Sequence, residues 1–187
     1  NTIYVGAPDG GLWVTTNGGT SWTTNTDQLT VIGCSDIAID PTNTNTLYLA
    51  TGDGDAGDSY SIGVLKSTDG GLTWNTTGLT WTVNQGRTIS RLIIDPTNPQ
   101  LLLAATSAGI WKTINGGTSW TQSSTTAVND IEFKPGATAT VYATGTSFLK
   151  STNNGTSFTA ITSGLPANTA VDRMSVAVTA ANAAYVY

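Results

Sequence analysis

Histidine is absent from this 187-residue sequence, and cysteine occurs once, as Cys34. The first absence excludes zinc sites built on imidazole and every His-based nucleophilic triad. The second excludes an intrachain disulfide and leaves a buried, inert thiol as the expected state of Cys34. Charge is scarce as well. Only 10% of residues are charged, and 7 Lys and Arg stand against 12 Asp and Glu for a net charge of −5. That balance argues against a nucleic-acid surface. No apolar run is long enough to cross a bilayer as a helix, and no signal peptide is visible, so membrane insertion is not expected. Low charge with abundant Thr and Asn points to a secreted or cell-surface location.

What is plentiful is Gly, 21 residues of 187, with Thr, Ser and Asn beside it. Such a composition favours many short strands and turns. One stretch organises the rest: Ser67-Thr68-Asp69-Gly70-Gly71-Leu72-Thr73-Trp74. Related copies begin at Thr15, Thr113 and Ser151. The shared frame is a hydroxyl, any residue, Asp or Asn, Gly or Asn, Gly, any residue, a hydroxyl and an aromatic. Asn17, Asp69, Asn115 and Asn153 can accept backbone amides and close a tight turn. The consecutive Gly or Asn residues supply the positive φ that a hairpin connection needs. Trp22, Trp74, Trp120 and Phe158 give each hairpin an apolar anchor.

Those aromatics lie 52, 46 and 38 residues apart, the spacing of propeller blades with four strands each. The four strands, A to D, are readable in each period. Strand A alternates apolar residues around Ile37, Ile93, Ile131 and Val176. Strand B runs through Leu47-Tyr48-Leu49, Leu101-Leu102-Leu103, Val141-Tyr142-Ala143 and 184–187. Strand C enters the repeated turn and strand D leaves it. The fold class is therefore all-β, an incomplete β-propeller of consecutive four-stranded antiparallel blades. Residues 2–6 match strand B, and 175–179 with 184–187 match A and B. The expected organisation is a single propeller segment over 1–187. A partial blade at 1–29 is followed by blades at about 30–80, 81–124 and 125–165 and a partial blade at 166–187. It is read as a piece of a larger propeller, whose remaining blades would be partners within the same polypeptide.

The repeated turn resembles the Asp-box, or BNR repeat, of β-propellers such as sialidases, sortilin-type receptors and xyloglucanase-type glycosidases in large secreted bacterial proteins. In that family the box lies on the blade face away from the ligand, which implies structural roles for the four Asp/Asn and four aromatic residues. The run from Gly11 to Trp120 is most similar to the opening blades of xyloglucanase-type enzymes, through the boxes, Ser35-Asp36-Ile37-Ala38-Ile39-Asp40-Pro41 and Arg91-Leu92-Ile93-Ile94-Asp95-Pro96. There the resemblance implies one catalytic Asp in the loop before the first full A strand and a partner Asp from a second propeller. The corresponding segment here, 25–33, offers only Asp27. A sialidase would need an arginine triad, and the arginines are Arg87, Arg91 and Arg173. A sortilin-type receptor would bring a cysteine-rich module, which this sequence lacks.

Antiparallel order sorts the loops onto two faces, with the boxes on one and the B–C and D–A loops on the other. The second face should bind. Its long loops are 52–61 and 77–88. Asp53, Asp55 and Asp58 on a Gly-rich loop could wrap Ca2+; the alternative is a solvated acidic loop. Tyr60 and Trp81 could form an aromatic platform for a sugar, with Arg87 and Arg91 beside it; the alternative is a core Trp81. Asp36, Arg91 and Asp130 stand at equivalent places in three A strands. They form either an ion-pair row or, less simply, a carboxylate pair for glycoside hydrolysis. The functional expectation is a non-catalytic extracellular recognition or scaffold module binding a glycan or an extracellular protein. The alternative is part of a xyloglucanase-like hydrolase, with Asp27, Asp36 and Asp130 the only catalytic candidates.

Overall fold

Strand B of the second repeat, Leu47-Tyr48-Leu49-Ala50-Thr51, is buried at every position. A continuous apolar run of this kind forms a strand covered on both faces, and that is how the sheets stack. A computed structural model describes every residue except Ala56 and Gly57, and only the backbone of Asn168. The first sheet holds β1 (Ile3–Ala7), β2 (Gly11–Thr15) and β3 (Thr23–Thr24). The second holds β4 (Cys34–Ile39), β5 (Leu47–Thr51), β6 (Gly63–Ser67) and β7 (Asn75–Thr80). The third holds β8 (Ile89–Asp95), β9 (Asn98–Thr106), β10 (Gly109–Thr113) and β11 (Thr121–Ser124). The fourth holds β12 (Asp130–Phe133), β13 (Val141–Thr144), β14 (Phe148–Ser151) and β15 (Thr159–Ile161). Strands within each sheet are antiparallel and follow chain order. The molecule is an all-β, open arc of propeller blades.

The core lies between sheets. Leu12, Cys34, Leu49 and Leu65 join the first and second. Tyr48, Ala50, Val64, Leu102 and Ala104 join the second and third. Leu103, Ala105, Ile110, Ile131, Val141 and Leu149 join the third and fourth. β5 and β9 thus send alternate side chains to opposite neighbours, as the period of two requires.

The repeated turns fold as their residues dictate. Asn17 Oδ1 accepts the Ser21 amide at 3.0 Å and the Thr15 hydroxyl at 2.8 Å. Asn115 and Asn153 repeat this, accepting the Ser119 and Ser157 amides at 2.9 and 3.0 Å. The paired positions have φ of 72° and 97° at Gly18 and Gly19, and 58° and 69° at Asn154 and Gly155. Each turn also ties back to its own A–B connection, as Gly70 N does to Asn45 O at 2.9 Å and Gly116 N to Gln100 O at 3.0 Å. The repeated turns and the A–B turns therefore share one face.

Two expectations change. The strands predicted at 175–179 and 184–187 are reduced to one isolated bridge between Val178 and Val186. No third strand joins that pair among the described residues, and a lone two-stranded ribbon is marginal in water. The long 77–88 loop is shorter than predicted, because β7 continues to Thr80 and a 3-10 turn at Val83–Gln85 follows. That turn is fixed by Thr82 N donating to Gln85 Oε1 at 2.8 Å.

Candidate functional site

A bulge at the same place in two A strands sets the geometry of the inner face. The β4–β5 register shifts between Cys34 and Asp36, and the β8–β9 register shifts between Ile89 and Arg91. Such bulges re-aim a side chain, and here they bring Asp36 and Arg91 together with Asp130. Arg91 Nε stands 3.9 Å from Asp36 and 3.8 Å from Asp130, and Nη2 donates to Glu132 Oε1 at 2.8 Å. The ion-pair row predicted from sequence is present, with Glu132 as a fourth member.

Both aspartates are committed to the backbone. Asp36 accepts the Ile37 amide at 2.9 Å and, from the next sheet, the Leu92 amide at 2.8 Å. Asp130 accepts the Ile131 and Val176 amides, each at 3.0 Å. One oxygen on each steadies its own strand and the other clamps the following one. Burial pushes the Asp36 carboxyl above the ordinary carboxylate range, against the pull of the Leu92 amide and of Arg91.

The two long connections of the second sheet are tied side by side. Ser61 N donates to Arg87 O at 2.8 Å, Trp81 N to Ile62 O at 3.0 Å, and Ser90 Oγ to Gly54 O at 3.2 Å. Tyr60 is exposed, and its ring lies beside Gly86. Trp81 takes Trp111 as ring partner instead, with centroids 6.5 Å apart and planes at 73°, and packs on the core between second and third sheets. The exposed Tyr60–Trp81 platform is thereby corrected, since Trp81 follows its core alternative. Arg87 is half-buried at the rim of the same loop pair.

The two ends of the acidic loop are tied by Asp53 N donating to Ser59 O at 2.7 Å. Asp53 is buried, and its Oδ1 accepts the Asp55 amide at 2.8 Å. Asp55 pairs with Arg173, 118 positions away along the chain. Asp58 is exposed, and Ala56 and Gly57 of the predicted calcium loop lie outside the described residues. Among the described residues, no three acidic, His or Cys side chains stand close enough to hold a metal ion. Pro8, Ser35, Asp53, Gly54, Asp55, Ser90 and Arg173 line a cleft of about 190 Å³ on this face. Sequence reasoning missed the contribution of Arg173, and no local pattern announces it.

No family model matches the chain. A xyloglucanase from Paenibacillus sp is 33% identical over 97 residues, which cover 48% of this chain and 9% of that protein. A xyloglucanase from Hypocrea jecorina is 30% identical over 132 residues, covering 64% of this chain and 16% of that protein. The crystal structure of a GH74 enzyme from Niastella koreensis superposes with a TM-score of 0.72 at 28% identity, over 97% of this chain and 30% of that one. The chain resembles xyloglucanase propellers. It spans 9% and 16% of the length of these two curated relatives.

The 25–33 connection meets the start of the 52–61 connection, where Gly52 N donates to Gly33 O at 2.9 Å. Asp27 sits there, exposed, with one long contact of 3.4 Å from the Thr24 hydroxyl. It carries none of the backbone duties of Asp36 and Asp130. No helix among the described residues is long and apolar enough to cross a membrane.

Proposed function

We propose that this chain is a glycan-binding propeller module of the xyloglucanase type, holding a β-glucan across the face that bears the 52–61 and 77–88 connections. The likeness to xyloglucanases supports the ligand class. The split between binding and hydrolysis rests on one observation: Asp36 and Asp130 each accept two backbone amides and flank the same Arg91. A hydrolytic pair needs one carboxyl free to give a proton and another free to attack or to activate water, at roughly 5–5.5 or 6.5–9.5 Å separation. Carboxylates fixed as strand clamps are poorly placed for either task. Arg87, Tyr60 and the Asp55–Arg173 pair would supply the polar and stacking contacts at the rim. Calcium at the acidic loop is not needed for this reading. A secreted setting suits a module that meets a polysaccharide.

A second reading is favoured by Asp27, the exposed carboxylate without structural duty. In it the chain contributes one acid to a hydrolase whose second carboxylate comes from elsewhere. Calorimetric titration with xyloglucan oligosaccharides, beside a reducing-sugar assay, separates the two. The proposal expects binding that weakens in Arg87→Ala, without sugar release. Sugar release lost in Asp27→Ala selects the second reading, and absence of binding to any β-glucan oligosaccharide at millimolar concentration rejects both.

A further inference from the structure

A lysine occupies one place on strand C of the second, third and fourth sheets, where Lys66 faces Tyr48, Lys112 faces Leu103 and Lys150 faces Tyr142. Between the second and third sheets Lys66 is well supplied. Its Nζ donates to Gly116 O at 3.0 Å and lies 5.1 Å from the centroid of the Tyr48 ring. Tyr48 Oη donates to the same carbonyl at 3.1 Å. The junction of the third and fourth sheets lacks this arrangement. Leu103 stands where Tyr48 does, with its methyl groups against Gly155, and Asn154 stands where Gly116 does. Lys112 Nζ meets a side chain instead, the Thr156 hydroxyl of the fourth sheet's turn, at 2.7 Å.

An ammonium has three N–H donors, and among the described residues only Thr156 accepts from that of Lys112. No carboxylate neutralises it either, since the ion pairs among the described residues are those of Arg91 and Arg173. Yet Lys112 is only 9% exposed, and burial holds its pKa below the ordinary lysine range. A buried charge without a counter-charge is costly and rare. Lys112 borders a cleft of about 360 Å³ whose walls include Ile114, Thr121, Gln122, Ser123 and Thr156 and no acidic residue. That volume falls in the range of small-molecule sites. Ile114 is 70% exposed and forms an apolar ledge on the open side. The cleft lies beside the repeated turns, away from the 52–61 and 77–88 connections.

We propose that this cleft is a second binding site, which takes the carboxylate of a uronic acid residue in an acidic polysaccharide. The carboxylate gives Lys112 Nζ the acceptor that the protein withholds, in a charge-assisted bond. The hydroxyls of Thr121 and Ser123 meet the hydroxyls of the sugar. Gln122 Oε1 accepts from one of them, because its Nε2 is engaged at Ala108 O. Ile114 lies under the apolar face of the ring. One ammonium among neutral groups suits a monoanion, whereas a phosphate carries about two charges and favours arginine or several cations. An acidic peptide would bring a carboxylate but no ring hydroxyls for the polar wall. The site shares no residue with the proposed β-glucan face, so either can stand without the other.

Amide-resolved NMR titration of the full chain tests this, with glucuronic acid as the probe. The Lys112, Ser123 and Thr156 amides should shift saturably. Glucose has the ring without the charge and should bind about tenfold more weakly or worse. Lys112→Met removes a buried charge and keeps a chain of similar length, so the fold should persist while the response to glucuronic acid is lost. Ile114→Asp changes an exposed side chain and sets a carboxylate beside the ligand, which should weaken glucuronic acid about tenfold. Lys66→Met, at the equivalent place one sheet earlier, should leave the three amide shifts unchanged. The proposal is overturned if glucuronic acid shifts none of these amides, if glucose shifts them equally, or if the response survives Lys112→Met or Ile114→Asp. It is overturned as well by a blocked glutamate, a peptide carboxylate without the ring, that binds as tightly as glucuronic acid.

Discussion

Asp69 does with a carboxylate what asparagine does in the other three repeated turns. Its oxygens accept the Ser67 hydroxyl at 2.7 Å, the Thr73 amide at 3.0 Å and the Thr73 hydroxyl at 2.6 Å. In the asparagine turns the last bond reverses, and Asn17 Nδ2 donates to Ser21 Oγ at 3.0 Å. The Thr73 hydroxyl, then the Thr73 amide and the Ser67 hydroxyl, lower the Asp69 carboxyl to about 2. A depressed folded value gives stability that is present above the unfolded value of about 4 and lost as pH falls through the folded one. Asp69→Asn should keep the fold and flatten that acid limb between about 4 and about 2, read as melting temperature against pH. Arg91 poses the opposite sign. Burial raises Asp36 and Arg91 restrains it, so the ionised carboxylate costs stability that is regained as pH falls. Arg91→Met lifts Asp36 further and leaves Asp36, Asp130 and Glu132 facing one another. At neutral pH it should cost about 1–2 kcal/mol, below the loss for a fully buried pair because the guanidinium is partly solvated. The deficit should shrink as pH falls towards about 4. Urea unfolding of both proteins at neutral and acid pH measures it, and a deficit that grows in acid rejects the account.

Between elements, the sheets are locked by side chains reaching from one blade to the next blade's turn. Tyr4 Oη donates to Gly70 O at 3.0 Å and Tyr48 Oη to Gly116 O at 3.1 Å. Tyr48→Phe deletes one such bond inside a buried junction and should cost about 0.5–1.5 kcal/mol in chemical denaturation. The lower half of that range is expected, since Lys66 Nζ still reaches the same carbonyl at 3.0 Å. These locks show what was legible in the sequence. The repeated turns, the C strands and the first four B strands are written in short-range patterns and recur in the structure. Tyr at one position of the first, second and fourth B strands was a visible signal for the locks, but in the two that form the partner lies 66 or 68 residues away. The misread features share that cause. Trp81 looked like a loop aromatic because its ring partner, Trp111, belongs to the next sheet. Spacing along the chain says nothing of Arg173 either, which reaches Asp55 from beyond the fourth sheet. The A and B patterns at 175–179 and 184–187 were read correctly as patterns, yet a strand needs neighbours that sequence periodicity does not count.

Across the whole molecule, blades whose apolar cores are shared with their neighbours form a nearly one-dimensional stack, in which stability is largely a sum of blade and junction contributions. Opening should therefore begin at a terminal junction rather than everywhere at once. Cys34 is well placed to report it. It is 2% exposed between the first and second sheets, and burial, with a smaller contribution from Asp36, pushes its thiol up to about 12. The native thiol is thus both covered and protonated near neutral pH, and a thiol reagent reaches it only through an open state. Gly6 closes over it so tightly that a β-carbon there would stand 2.5 Å from Sγ. Gly6→Ala must push this junction apart, and overpacking of that kind costs about 1–3 kcal/mol. If the first sheet detaches as a unit, the variant should label about tenfold faster or more in the absence of denaturant, each tenfold being about 1.4 kcal/mol of opening. The parent should label at urea concentrations below those that change its tryptophan fluorescence. Labelling of the parent that coincides with the global transition, together with an unchanged rate in Gly6→Ala, would mean that the blades unfold as one body and that the first junction is no weaker than the others.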